Sequence, residues 1–205
     1  MEMLMEFEEM LMEFLKGLGM WAPLLSSILV FLEGILAFLP LFVFVTVNIL
    51  SLSALLGTFV GTFLGIVLSW VFSVLGCFTM FFCIRKLFSK KFRDKIKDSP
   101  KVTKFMNILD KLTYSQLVLI TSIPFSPSFF INLGAGLSKV NMKKYFFALL
   151  MGKFAEMIFL GYVGVSLIEC LTQPRALIKV AIIVIGGYIA SVVVNKKFNL
   201  DERFE

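Results

Sequence analysis

Between Gly34 and Ile84 the chain runs for 51 residues without an Asp, Glu, Lys or Arg. As one continuous α-helix that stretch would be about 77 Å long at 1.5 Å per residue, against a bilayer hydrocarbon core of roughly 30 Å. It must therefore cross a membrane more than once, or cross once and double back. A mean hydropathy of +0.92, with 59% hydrophobic residues and 24 phenylalanines, puts the rest of the chain in the same class. At 205 residues the expectation is one compact membrane domain. The net charge of +6 does not point to nucleic acid, because the positive residues gather in one loop, as the positive-inside rule places them. Cys77, Cys83 and Cys170 form no CxxC or other metal spacing, so neither a metal nor a cofactor is expected. The first residues are acidic rather than basic, which argues against a cleavable signal peptide.

Along the chain, residues 1–18 carry five glutamates among Met, Leu and Phe at near-helical spacing, and are expected to form an amphipathic interfacial helix. The segment 21–39 reads as a span, or as a span plus half a hairpin, with Glu33 inside it and Pro40 at its end. About 40–55 reads as a second, broken element. Residues 56–84 read as a clear span, in which Gly57, Gly61, Gly65, Ser69 and Ser73 recur every four residues. Such a stripe of small residues lets a second helix approach closely in a membrane. Residues 85–111 hold ten positive and three negative side chains. They are expected to form a cytoplasmic loop, with Pro100 dividing two short surface helices.

The stretch Leu112–Ser138 is uncharged for 27 residues, long enough to span. Yet Pro124 and Pro127 interrupt its middle, and Asn132, Gly134 and Gly136 crowd its far half. Proline removes a backbone donor and clashes with the preceding turn, and glycine weakens a helix interior. Lys139, Lys143 and Lys144 follow at once. A span would put them outside while the loop before it sits inside. A re-entrant hairpin keeps both basic flanks on the cytoplasmic side, so the helix breakers and the charges agree. Residues 145–168 then form a span carrying Lys153 and Glu156, and 171–205 supply a final transmembrane helix with a short cytoplasmic tail. The resulting expectation is an all-α integral membrane protein of about four transmembrane helices plus two opposed re-entrant hairpins. Both termini are cytoplasmic in this arrangement, which has the form of an inverted-repeat transporter.

The segment LITSIPFSPSFFINLGAGLSKVNMKKYFFALLMGKFAE resembles the core motif of the DedA / SNARE-associated (VTT-domain) membrane proteins. Pro124, Pro127, Asn132, Gly136, Phe146, Gly152 and Lys153 fall on its positions. Upstream, Glu33 and Pro40 resemble the family's first hairpin, and the Gly57/Gly61/Gly65 run ending at Arg85 is similar to its glycine-rich span. The resemblance covers about residues 30–168, within a membrane domain over 19–170. Thr121 stands where family members often carry an arginine, and the first hairpin lacks a second proline and a second glutamate. What the resemblance implies is a fold with two opposed hairpins. The implied function is the movement of phospholipids or polyprenyl-phosphate carriers between leaflets, in several members coupled to the proton gradient.

An ionisable residue at membrane depth costs roughly 2.5–3.5 kcal/mol on insertion scales, so it marks a partner or a task. Glu33 is a candidate proton acceptor or cation partner, or else a structural pair. Lys153 and Glu156 are three apart and share a helix face. Lys153 suits a lipid phosphate, a local pair with Glu156, or snorkelling to the interface. Arg85 suits bidentate phosphate contact, but as the first residue of a basic loop it reads more readily as a boundary anchor. Asn132 suits capping of the hairpin's helix, with substrate contact as the alternative. Pro40, Pro124, Pro127, Gly134 and Gly136 are read as hairpin architecture. With no histidine, and all four aspartates outside apolar segments, an enzyme is not expected. The expected partners are phosphate-bearing membrane lipids, in a cell membrane, with homo-oligomerisation left open. The competing expectation is a membrane assembly factor that recruits partners through the basic loop.

Overall fold

The computed structural model describes residues 17–36, 39–87, 100–124 and 128–172, with a few isolated positions besides. The described residues form seven helices and no strand. They are α1 (Trp21–Leu36), α2 (Leu41–Leu56), α3 (Thr58–Leu87), α4 (Pro100–Lys111), α5 (Tyr114–Ser122), α6 (Ser128–Leu137) and α7 (Met142–Thr172). The N-terminal amphipathic helix, most of the basic loop, Pro127 and the final span expected from the sequence lie outside the described residues.

Two helices are long and apolar enough to cross a bilayer. They are α3, of 30 residues, and α7, of 31, each about 45 Å long. They lie antiparallel, with the Trp70 indole N–H donating to the Leu150 carbonyl at 2.8 Å and the Phe81 and Tyr145 rings stacked 4.6 Å apart. The 16-residue helices α1 and α2 are each about 24 Å, short of a full core. They form an antiparallel pair in which the Ser26 hydroxyl donates to the Phe44 carbonyl at 2.7 Å. Gly57, with φ +86°, then reverses the chain directly from α2 into α3, a backbone conformation that glycine adopts without penalty. Because Gly34 lies against Gly76 and Cys77, the α1–α2 connection sits level with about residue 80 of α3, roughly 10 Å before that helix ends.

The second pair, α5 and α6, has 9 and 10 residues, about 14–15 Å each. A capping box starts α5: the Thr113 hydroxyl accepts from the Gln116 amide, and the Gln116 side chain accepts from the Thr113 amide. The arms of this pair hold opposite senses against α7. Along α5, the Leu112 carbonyl receives Lys144 Nζ at 2.5 Å and Thr121 packs on Gly152, so the two helices run parallel. Along α6, Asn132 meets Tyr145 and Ser128 meets Lys153, so they run antiparallel. The end of α5 and the start of α6 are therefore level with Lys153, about a third of the way along α7. The two helix pairs enter the α3–α7 frame from opposite ends.

Close backbone approach holds this frame together. A Cβ at Gly61 or Gly65 would collide with the backbone of Ser53 or Ile49 in α2, and one at Gly76 with the Phe31 carbonyl of α1. At Gly34 it would lie 2.8 Å from the Cys77 nitrogen, and at Gly136 2.8 Å from the Ile84 side chain. Outward, the surface is apolar: α1 exposes Trp21, Leu24, Leu25 and Ile28, α3 exposes Phe59, Phe63 and Leu75, and α7 exposes Phe147, Met151 and Ile158. Inward sit Ser26, Ser27, Glu33, Asn48, Ser69, Ser73, Asn132, Lys153 and Glu156. Together with the two apolar core clusters, an apolar exterior with the polar groups turned inward suits a bilayer, where polar groups must be satisfied internally.

Two expectations need correction. The segment 40–55 is not broken: α2 is continuous from Leu41, with Pro40 just before it at φ −74°, a place where a missing N–H costs little. Gly134 and Gly136 do not interrupt the second pair either. Helix α6 runs through both, and α5 ends just before Ile123 and Pro124. Inside α6, tight packing offsets the propensity cost of Gly136, whose missing Cβ lets Ile84 and the Phe81 carbonyl close in.

Gly65→Leu should remove most folded protein from detergent extracts, or lower its midpoint by the equivalent of 1–3 kcal/mol, about the usual cost of overpacking or more. Exposed Leu75→Ala on the same helix should leave the midpoint nearly unchanged. Thermal unfolding followed by size-exclusion chromatography reads both.

Candidate functional site

Where the tips of the two helix pairs meet between α3 and α7, the interior becomes polar and charged. Lys153 of α7 is buried, at 1% exposure, and its Nζ lies 2.6 Å from Glu156 Oε2. The same ammonium donates to the Ser128 hydroxyl at 2.9 Å. Ser128 is the first residue of α6, so the start of that helix is tied to α7 at Lys153. Glu33 comes from α1 and is 7% exposed. It feels the charges of both Lys153 and Glu156, and its Oε2 has no hydrogen-bond partner among the described residues. A second carboxylate thus stands within electrostatic reach of the buried Lys153–Glu156 pair.

Asn132 joins the halves. Its Nδ2 donates to the Gly34 carbonyl of α1 at 3.4 Å, while its Oδ1 accepts from the Tyr145 hydroxyl at 2.6 Å. It does not cap a helix, as the sequence suggested, because it lies inside α6 with its side chain spanning to α1 and α7. A buried amide needs partners for both ends, and only this tertiary meeting supplies them. Tyr145, buried at 0% exposure, was not a sequence candidate. Its one signal was a lone ring hydroxyl among the phenylalanines of Tyr145–Phe146–Phe147.

Arg85 is not in this centre. Its guanidinium lies at the far end of α6, where Nη1 donates to the Val140 carbonyl at 2.6 Å and Nη2 to Ala135 and Ser138 at 2.9 and 2.8 Å. Nε reaches Gly136 at 3.4 Å, and the cation lies 4.5 Å from the centre of the Phe81 ring. The last carbonyls of a helix have no intrahelical donor, and one planar fork on α3 supplies several at once. Arg85 thus anchors α6 to α3.

Thr121, at the expected arginine position, is 4% exposed and packs on Gly152, with its hydroxyl within 2.9 Å of the Leu117 carbonyl and 3.2 Å of Ala148. Of the sequence candidates, Glu33, Asn132, Lys153 and Glu156 are therefore brought together, and Arg85 is held apart. Lys153 does not snorkel, since it is buried on all sides.

The chain matches the VTT domain over residues 47–166. It is 30% identical over 183 residues to a Bacillus subtilis (strain 168) protein described as uncharacterized membrane protein YhjE, covering 89% of this chain and 84% of that one. It is also 28% identical over 196 residues to uncharacterized protein YqeD of the same organism, covering 93% and 86%. No solved structure matches.

Removing one partner of a buried ion pair is costly, about 3–5 kcal/mol. Lys153→Met should therefore destabilise strongly, whereas Lys153→Met with Glu156→Leu should recover much of the loss. Thermal midpoints of the single and double variants in one detergent check this, and equal losses in both would contradict a buried pair.

Proposed function

The chain belongs to the VTT-domain family, and on that premise we propose that it is a lipid transporter or scramblase, not an enzyme, moving phosphate-bearing lipids between leaflets. The carrying observation is the charged centre of Glu33, Lys153 and Glu156 where two helix pairs from opposite ends meet. In this reading α1–α2 and α5–α6 are re-entrant hairpins, each too short to cross fully. Together with α3 and α7 they form an inverted repeat, and with the final segment a multi-pass protein of the cell membrane. The end of α3 that leads into the basic residues faces the cytoplasm, with both termini.

The hairpin tips thin the apolar barrier from both sides, so that a headgroup has a polar station at mid-depth. Lys153 and the amide end of α6 at Ser128 suit a phosphate, which would exchange with Glu156 for the ammonium. Charge balance then bears on coupling. The centre already holds two carboxylates for one cation, so entry of a phosphodiester anion favours uptake of a proton by Glu33 or Glu156. That is a reason to expect coupling to a proton gradient, and neutralising either carboxylate disturbs the balance.

In proteoliposomes, purified protein should move fluorescent phospholipid between leaflets, as read by dithionite quenching. Glu33→Gln should slow that movement at least about tenfold, equivalent to 1.4 kcal/mol of barrier. Unchanged flipping in Glu33→Gln removes Glu33 from the mechanism, and no flipping by the parent protein removes the transport reading. Single cysteines at Lys111 and Lys139 should label from the same side of the bilayer if α5–α6 is re-entrant. Labelling from opposite sides makes that segment a full crossing.

A further inference from the structure

Serine and threonine hydroxyls inside helices can settle on the carbonyl one turn back. In this bundle Ser27 does so on Pro23 at 2.6 Å, Thr46 on Phe42 at 2.7 Å, Ser69 on Gly65 at 2.8 Å and Thr121 on Leu117 at 2.9 Å. Ser51 and Ser73 depart from this pattern. They are 1% and 0% exposed, and neither Oγ has a partner among the described residues. Glu33 Oε2 shares that condition. Ser51, Ser73 and Glu33 all belong to the α1–α2–α3 unit.

Their order along α3 follows from the packing. Ser53 backs on Gly61 and Ile49 on Gly65, so Ser51 is level with the turn between those glycines. One turn on, the Asn48 amide donates to Ser69 Oγ at 2.9 Å, and Asn48 Oδ1 lies 3.5 Å from Ser27 Oγ. Ser73 follows after another turn. Cys77 comes next, with its backbone against Gly34, the neighbour of Glu33. Ser69, Ser73 and Cys77 recur every four residues and so share one face of α3. The row covers about 20 Å from the level of Ser51 to Glu33. Beyond Glu33 the character changes: Phe81 and Tyr145 are both fully buried and stacked, with the Arg85 cation over Phe81. The path is polar toward the end where α1 and α3 begin and aromatic toward the other.

Buried polar atoms without protein partners are usually met by ordered water. We propose that the row Ser51, Asn48–Ser69, Ser73 is a hydrated passage by which Glu33 reaches the aqueous phase on the side where α1 and α3 begin, with water or hydronium as its ligand. The passage deepens the transport reading by giving the central carboxylate one-sided access. The charged and polar groups that face the same centre are Lys153 and Glu156 from α7, Cys77 from α3 and Asn132 from α6. No bond other than O–H is made or broken: a proton passes from hydronium along the water row to the carboxylate.

The test uses the full chain with Cys77, Cys83 and Cys170 replaced by alanine, and single cysteines at Ser73, Ser69 and the lipid-facing Leu75. It is reconstituted in vesicles of phosphatidylethanolamine and phosphatidylglycerol and exposed to a membrane-impermeant methanethiosulfonate from one side at a time. Ser73→Cys and Ser69→Cys should react at least about tenfold faster than Leu75→Cys, and only from the side where α3 begins. Reaction no faster than Leu75→Cys, or reaction from the opposite side, overturns the passage. The labelling is independent of lipid movement, so a protein that labels as expected but flips no lipid fails the transport reading and not this one. In a background with native cysteines, Ser73→Val should slow any proton-driven lipid movement more than Ser27→Ala. Equal effects of the two overturn the assignment of Ser73 to the route.

Discussion

Two carboxylates and one ammonium held in the middle of an apolar bundle set a condition that the rest of the structure has to meet. Each charge taken from water costs several kcal/mol unless geometry and hydrogen bonds offset it. Lys153 therefore meets Glu156 one turn along its own helix at 2.6 Å and Ser128 at 2.9 Å, and the second contact exists only if α6 begins beside Lys153. That placement demands that the chain reverse direction between Ser122 and Ser128. It also requires α1 to end near Asn132, whose amide closes onto the Gly34 carbonyl. The interrupted helices and the charged centre are consequences of each other.

The anchoring of the two pairs differs, for reasons visible in their ends. The first pair is held by backbone proximity: α2 and α1 lie on Gly61, Gly65 and Gly76 of α3, where the gain is close van der Waals contact and lipid-free packing. The second pair is shorter and has fewer such contacts. Arg85 compensates by bonding carbonyls at and beyond the end of α6, groups that would otherwise be orphaned near the bilayer. Thr121 does similar work on α5, packing on Gly152 of α7 with its hydroxyl 3.2 Å from the Ala148 carbonyl.

Helix α4 shows how the end of the bundle where α3 finishes is closed. Met106, Ile108 and Leu109 are buried, the last two in one cluster with Leu117, Ile131, Ala135 and Tyr145. Asp110 Oδ1 accepts from the Lys139 amide at 2.6 Å. A short amphipathic helix thus covers the end of the second pair by ordinary apolar burial. The opposite end carries no comparable cover among the described residues, and the polar row toward Ser51 lies on that side.

Much of this was legible in one dimension. The charge-free run established membrane character, because hydrophobic length is additive along a chain and needs no knowledge of neighbours. The four-residue glycine and serine spacing announced a packing face for the same reason, since a helix converts spacing into a stripe. Prolines marked the break, and Glu33, Lys153 and Glu156 stood out as charges among apolar residues. What the tertiary structure alone decided was pairing. Asn132 looked like a cap and became a bridge, because its partners Gly34 and Tyr145 lie 98 and 13 residues away. Arg85 could be assigned to specific carbonyls only once α6 was seen 50 to 55 residues downstream. Tyr145 and Ser128 carried almost no signal. Electrostatic and hydrogen-bond energies depend on distances of a few ångströms between atoms, and those distances are set by how helices meet, not by how residues follow one another.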